Sequence, residues 1–190
     1  SVDETDIEFL DEGAFKAVYR VISDLPVLAV AASKERGVEF PDEYRKLRFL
    51  YGKTPNHFPK PYDLVSLDEE GKNVLLMQYL DALRVNKFKG QNPGLDRQIA
   101  EAIGHSAGFV FQKTGMFSKE PHDGNILLNL EDGVVRARFV DVDHFNKGKE
   151  YELFDDYFLW RGWGRTECIE NQSVFEEAFE RGLVDAGYRK

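Results

Sequence analysis

The run ILLNLEDGVVRARFVDV, Ile126–Val142, sets an Asp132-Gly133 pair between two β-rich segments. Asp-Gly is a preferred two-residue hairpin loop, so the run predicts two antiparallel strands. With those residues as the loop, Glu131 pairs with Val134 and paired numbers sum to 265, which sets Asn125 opposite Val140 and next to Asp141. Directly opposed residues of an antiparallel pair lie about 4.5 to 5.5 Å apart at Cα. The spacing therefore predicts that an amide before the hairpin and a carboxylate at its end share a cation. Packing alone gives little reason for a polar pair bracketing a hairpin.

Immediately upstream, FSKEPHDGNILL (Phe117–Leu128) gathers Glu120, His122, Asp123 and Asn125 before the apolar run. His122 is read as a brace for this loop, and Asp143 and His144 beyond the hairpin as supporting or solvent-facing groups. Further upstream, Leu95 to Gln112 predicts a helix with an apolar stripe of Leu95, Ile99, Ile103 and Val110. LRVNKFKGQNPG, Leu83–Gly94, reads as an irregular connector. YDLVSL and NVLLMQYL read as strands joined by the turn DEEGK, and KTPNHFPKP as a proline-punctuated loop.

Pro41-Asp42 opens a helix, PDEYRKLRFLYG, in which Glu43, Leu47 and Leu50 share one face, so that a carboxylate on an apolar stripe needs a partner. IEFL and AVYRVI read as strands around the turn DEGAFK, and VLAVAAS (Val27–Ser33) as a third, buried strand. At the other end, SVFEEAFERGLVDAG predicts a Ser-capped helix with Phe175, Phe179 and Leu183 on one face. Strands first and helices afterwards predict an α+β chain of two lobes. Residues 1–80 form an antiparallel sheet with one helix, and residues 81–190 a small, mainly helical lobe.

At 190 residues and 42% hydrophobic content the chain suits one globular domain with a real core. Its formal charge of −9 argues against a nucleic-acid-coating surface or an anionic-membrane binder, because both draw affinity from clustered Lys and Arg. Cys168 stands alone, so no intramolecular disulfide forms. The acidic start SVDETDIEF is unlike a secretory signal, and no apolar run reaches membrane-spanning length. The expectation is a cytoplasmic protein.

Five pieces in order resemble the protein-kinase-like superfamily. LDEGAFKAVY is similar to its glycine-rich loop, EYRKLRFL to the helix supplying the ion-pair glutamate, and LLMQYL to the strand entering the adenine-contacting hinge. SKEPHDGNILL resembles the catalytic loop, with EPHDGN nearest to atypical UbiB-like and small phage-encoded kinases, and FVDVDHF resembles the DFG segment. About 45 residues follow Phe145, too few for a eukaryotic-type helical lobe, and HFNKGKEYELFDDYFL is similar to aminoglycoside- and choline-kinase-type enzymes.

The resemblance implies a compact protein-kinase-like bilobal fold that uses ATP and Mg²⁺. It puts Gly13 near the phosphates, Lys34 with Glu43 as the phosphate clamp, and Met77, Gln78 and Tyr79 at the nucleotide. Asn125 and Asp141 become the metal ligands. The base lies five residues before the asparagine, at Glu120, where the family has aspartate, with Asp123 as the rival. Two further departures are the single glycine of the first loop and Ala31 at the usual lysine position. The implied reaction is phosphorylation of a protein Ser/Thr hydroxyl. Alternatives are a small-molecule acceptor, AMP transfer, or a pseudokinase serving as a regulatory interaction module. No nucleic acid and no membrane partner is expected.

Overall fold

The computed structural model describes residues 7–12, 16–22, 24, 27–32, 40–66, 73–149 and 171–188. Gly13, Lys34, Cys168 and the turn at 68–72 lie outside the described residues, as does most of the segment after Lys149. The chain is α+β and divides into two compact units. One comprises Ser1–Tyr51 with Pro59–Leu80, and the other Gly52–Phe58 with Asp81–Lys190. Among the described residues no helix is long and apolar enough to cross a membrane.

The first unit is a five-stranded antiparallel sheet in the order β1-β2-β3-β5-β4, with strands β1 (Ile7–Glu12), β2 (Lys16–Val21), β3 (Val27–Ala32), β4 (Pro61–Ser66) and β5 (Asn73–Gln78). Strand β2 begins at Lys16, one residue earlier than expected, and Lys16 pairs with Ala32. Helix α1 (Phe40–Lys53) buries Glu43, Leu47 and Leu50, the stripe read from the sequence, and Phe40 as well.

The second unit contains β6 (Leu83–Arg84), helices α2 (Val85–Gln91) and α3 (Asp96–Thr114), and strands β7 (Met116–Ser118), β8 (Ile126–Glu131), β9 (Val134–Phe139) and β10 (Phe145–Lys147). It ends with helix α4 (Gln172–Asp185). Strands run β6-β8-β9 in one antiparallel sheet, and β7 pairs with β10 in another. The hairpin register is the expected one, Glu131 with Val134 through Ile126 with Phe139. Its loop residues have φ of 51° at Asp132 and 78° at Gly133, positive at both positions as the tight turn requires.

Several expectations fail for identifiable reasons. The supposed connector contains β6 and α2, because Val85 and Phe88 at i, i+3 are both buried while the helix is too short to show a full period. β7 and β10, three residues each, are likewise too short to alternate. Helix α4 starts at Gln172 after Asn171 with no side-chain cap, so Ser173 does not cap it. What fastens α4 is backbone approach to α3. A Cβ at Gly108 would stand 2.1 Å from the Phe179 carbonyl oxygen, and one at Gly182 would stand 2.2 Å from that of His105. Glycine is required at such distances. Phe175, Phe179 and Leu183 are buried there, and so are Ile99, Ile103 and Val110 of the α3 stripe. On the sheet side, the Ser106 hydroxyl donates to the Ala137 carbonyl at 3.3 Å.

Candidate functional site

The loop from Lys119 to Asn125 and the segment from Val140 to His144 are fastened to each other at both ends. At one end β7 pairs with β10, Ser118 against Phe145, and the Lys119 amide donates to the His144 carbonyl at 2.8 Å. At the other, the β8–β9 ladder continues one step past Ile126, with the Val140 amide donating to the Asn125 carbonyl at 3.0 Å. Asn125 therefore stands opposite Val140 and beside Asp141, as the register implied. Beneath the second segment, Phe139 and Phe145 pack on each other at 5.5 Å and on Phe58 at 5.9 and 5.2 Å. All three rings are fully buried, so both ends of the segment sit on a rigid floor.

Short local bonds shape the loop. The Glu120 amide donates to the Ser118 hydroxyl at 3.2 Å and the His122 amide to the Glu120 carbonyl at 2.9 Å. His122 accepts from the Gly124 amide through Nδ1 at 3.0 Å, which is the bracing role read from the sequence. Asn125 is 5% exposed and its Nδ2 donates to the Glu120 carbonyl at 3.0 Å. Its Oδ1 is thereby turned to the other side of the amide, available as an oxygen ligand. Asp141 has left-handed backbone geometry, φ 58° and ψ 70°, which a non-glycine residue occupies at a cost of roughly 1–3 kcal/mol. Asp141 immediately precedes the 3₁₀ turn Val142–His144 and makes no side-chain hydrogen bond to cap it. One carboxylate oxygen of Asp141 and one of Asp143 lie within 4.8 Å of one another.

The two base candidates separate. Glu120 is 38% exposed, and its Oε1 lies 3.4 Å from Nδ1 of His144. Asp123 instead accepts the Asn86 amide of α2 through Oδ1 at 2.6 Å. An amide in the first turn of a helix has no acceptor inside that helix, and a carboxylate there also meets the positive end of the dipole. Asp123 thus caps α2 from 37 positions away in sequence. That structural role stands beside the one expected of Asp123 as rival base.

In the first unit, Glu43 is 4% exposed and its carboxylate lies 2.9 Å from Nζ of Lys16, itself 16% exposed. The ion-pair partner expected from the sequence, Lys34, lies outside the described residues. Removing one partner of a buried pair leaves the other charge uncompensated, at a cost of about 3–5 kcal/mol. Met77 is core, 7% exposed beside Leu75 on the same face of β5. The Gln78 amide donates to the Lys60 carbonyl at 2.8 Å while its side chain accepts the Lys60 amide at 3.3 Å. Tyr79 carries the Arg20 guanidinium 4.7 Å above its ring.

Sequence reasoning missed Lys16 and underrated His144. Lys16 lies in LDEGAFKAVY, the stretch similar to the glycine-rich loop, where no partner for Glu43 was expected, and His144 reaches Glu120 only because two three-residue strands bring their backbones together. No family model matches the chain, and no curated protein matches it.

Proposed function

We propose that this chain is an ATP- and Mg²⁺-dependent phosphotransferase with a protein-kinase-like bilobal fold. One observation carries the reading. Asn125 is buried with its amide nitrogen committed to the Glu120 carbonyl, and its own carbonyl is bonded to Val140, directly before an Asp141 whose backbone is left-handed. An amide oxygen and a carboxylate oxygen from the two flanks of one hairpin are the donors a hard divalent cation takes. A divalent cation held by Asn125 and Asp141 would neutralise phosphate charge.

In this reading Glu120 accepts the proton of the attacking hydroxyl, and its exposure leaves it accessible to an acceptor. Lys16, oriented by Glu43, takes the phosphate-binding role that the sequence assigned to Lys34. The lysine reaches this role from β2, opposite position 32, instead of from β3 itself. Of Met77, Gln78 and Tyr79, the Met77 side chain is buried and both the amide and the side chain of Gln78 are engaged with Lys60, which leaves Tyr79, just past β5, to meet the nucleotide.

Thermal unfolding with and without Mg-ATP tests this. At a hundredfold excess over Kd, binding stabilises the folded state by about 2.7 kcal/mol, a rise of roughly 5–10 °C for a chain of this size. The expected result is that rise in the wild type and its loss in Asp141→Ala. A wild type that does not respond, or an Asp141→Ala variant that responds equally, ends the reading. A shift without release of labelled phosphate assigns the chain to the nucleotide-binding pseudokinases instead.

A further inference from the structure

We infer that His144 is a positioning residue for Glu120, an assignment that rests on the phosphotransfer reading above. Glutamate carries one more methylene than the aspartate its loop position calls for, and so one more torsion through which the base can swing out of line. A displacement of about 1 Å at a reacting group costs on the order of a hundredfold in rate. The structure supplies a restraint on that longer arm. Nδ1 of His144 lies 3.4 Å from Oε1 of Glu120, and no other described residue bonds that carboxylate.

An exposed pair of this kind is usually weak, because two mobile side chains must be ordered to make it. Here the two backbones are already locked to each other. Lys119, next to Glu120, donates to the His144 carbonyl at 2.8 Å, and Ser118 pairs with Phe145 on the neighbouring ladder. The Glu120 carbonyl receives both the His122 amide and the Asn125 side chain, and Phe145 is fully buried. Only side-chain torsions remain to be fixed, and the imidazole has two. Catalytic hydrogen bonds are commonly long without substrate and tighten in the reacting complex. With Nδ1–H donating to Oε1, Oε2 is the atom that takes the acceptor's proton. The acceptor oxygen bonds to the γ-phosphorus as the bond from that phosphorus to the ADP oxygen breaks, and the proton leaves Glu120 for solvent.

The test compares wild type, His144→Ala, His144→Asn, Glu120→Ala and the double variant His144→Ala/Glu120→Ala. Each is given Mg-ATP, and release of labelled phosphate to water and to the protein itself is followed. Asparagine places an amide nitrogen where Nδ1 stood. The expected result is a kcat about tenfold or more below wild type in His144→Ala, with KM for Mg-ATP unchanged, and recovery to within about threefold in His144→Asn. The double variant should fall no further than Glu120→Ala. Unchanged kcat in His144→Ala, loss that asparagine does not recover, or an additive double variant overturns the assignment. An active wild type with an indifferent His144→Ala overturns this inference alone. A wild type that turns over no Mg-ATP overturns the phosphotransfer reading and this assignment with it.

Discussion

Replacing His57 by phenylalanine should flatten the acid side of the stability curve. His57 ends the turn Pro55–His57, its ring lies 5.0 Å from that of Phe109 with 33° between the planes, and its Nδ1 is buried with no hydrogen-bond partner among the described residues. Burial, followed by the nearby His105, Arg138 and Arg136, lowers its pKa from 6.5 to about 4. The sign follows from proton counts. Between pH 6.5 and about 4 the unfolded chain carries a proton on this ring and the folded chain does not, so unfolding binds a proton and stability falls as pH falls. Integrating between those two values down to pH 5 gives a loss of about 2 kcal/mol from this residue alone. Phenylalanine keeps the ring contact and removes the titration. Urea unfolding at pH 7.5 and pH 5 supplies the comparison, and carboxylates common to both proteins cancel in the difference. Wild type should lose about 2 kcal/mol more than His57→Phe over that interval. Equal losses would show that His57 protonates as readily folded as unfolded, and the reasoning from its burial would fail.

Substitutions at three further positions probe the second unit. Gly108→Ala drives a methyl group against the Phe179 carbonyl, where the contact would be 2.1 Å, and should destabilise by about 1–3 kcal/mol despite the better helix propensity of alanine. Gly90→Ala in α2 meets nothing within 4 Å and should be neutral or stabilising by up to about 1 kcal/mol, so a melting temperature that moves the same way in both contradicts the close-approach argument. Asp123→Ala should cost about 1 kcal/mol by leaving the Asn86 amide of α2 without its acceptor, and Asp123→Asn, which keeps an oxygen there, should cost less. Chemical denaturation of the pair measures the difference, and indistinguishable variants would remove the capping role.

Much of the fold was legible because its signals are local. The Asp-Gly turn fixed the register of β8 against β9, and with it the juxtaposition of Asn125 and Val140, without any tertiary information. Glu43 on the buried face of α1 was visible in helical spacing. What escaped was held by partners remote in sequence. Helix α2 is seven residues long and is capped by a side chain from the loop before the hairpin, so neither its period nor its start could be read from its own residues. The pairing of β7 with β10 leaves no alternation in either three-residue strand, yet it is this ladder that brings His144 to Glu120.

The same distinction explains the lysine. Sequence alignment by motif asks which strand carries a residue, whereas an ion pair asks only where an ammonium group arrives. Neighbouring antiparallel strands lie about 4.8 Å apart, less than the reach of a lysine side chain, so a lysine on one strand can serve a position on the next. Lys16 begins β2 opposite Ala32, and its ammonium meets a carboxylate that is almost wholly buried. A buried carboxylate without such a charge would be costly to keep ionised, so Glu43 and Lys16 require each other whatever letter stands at position 31. The alanine there therefore does not by itself leave Glu43 without a cationic partner. It moves the search for the lysine from a column of a motif to a neighbourhood of the sheet.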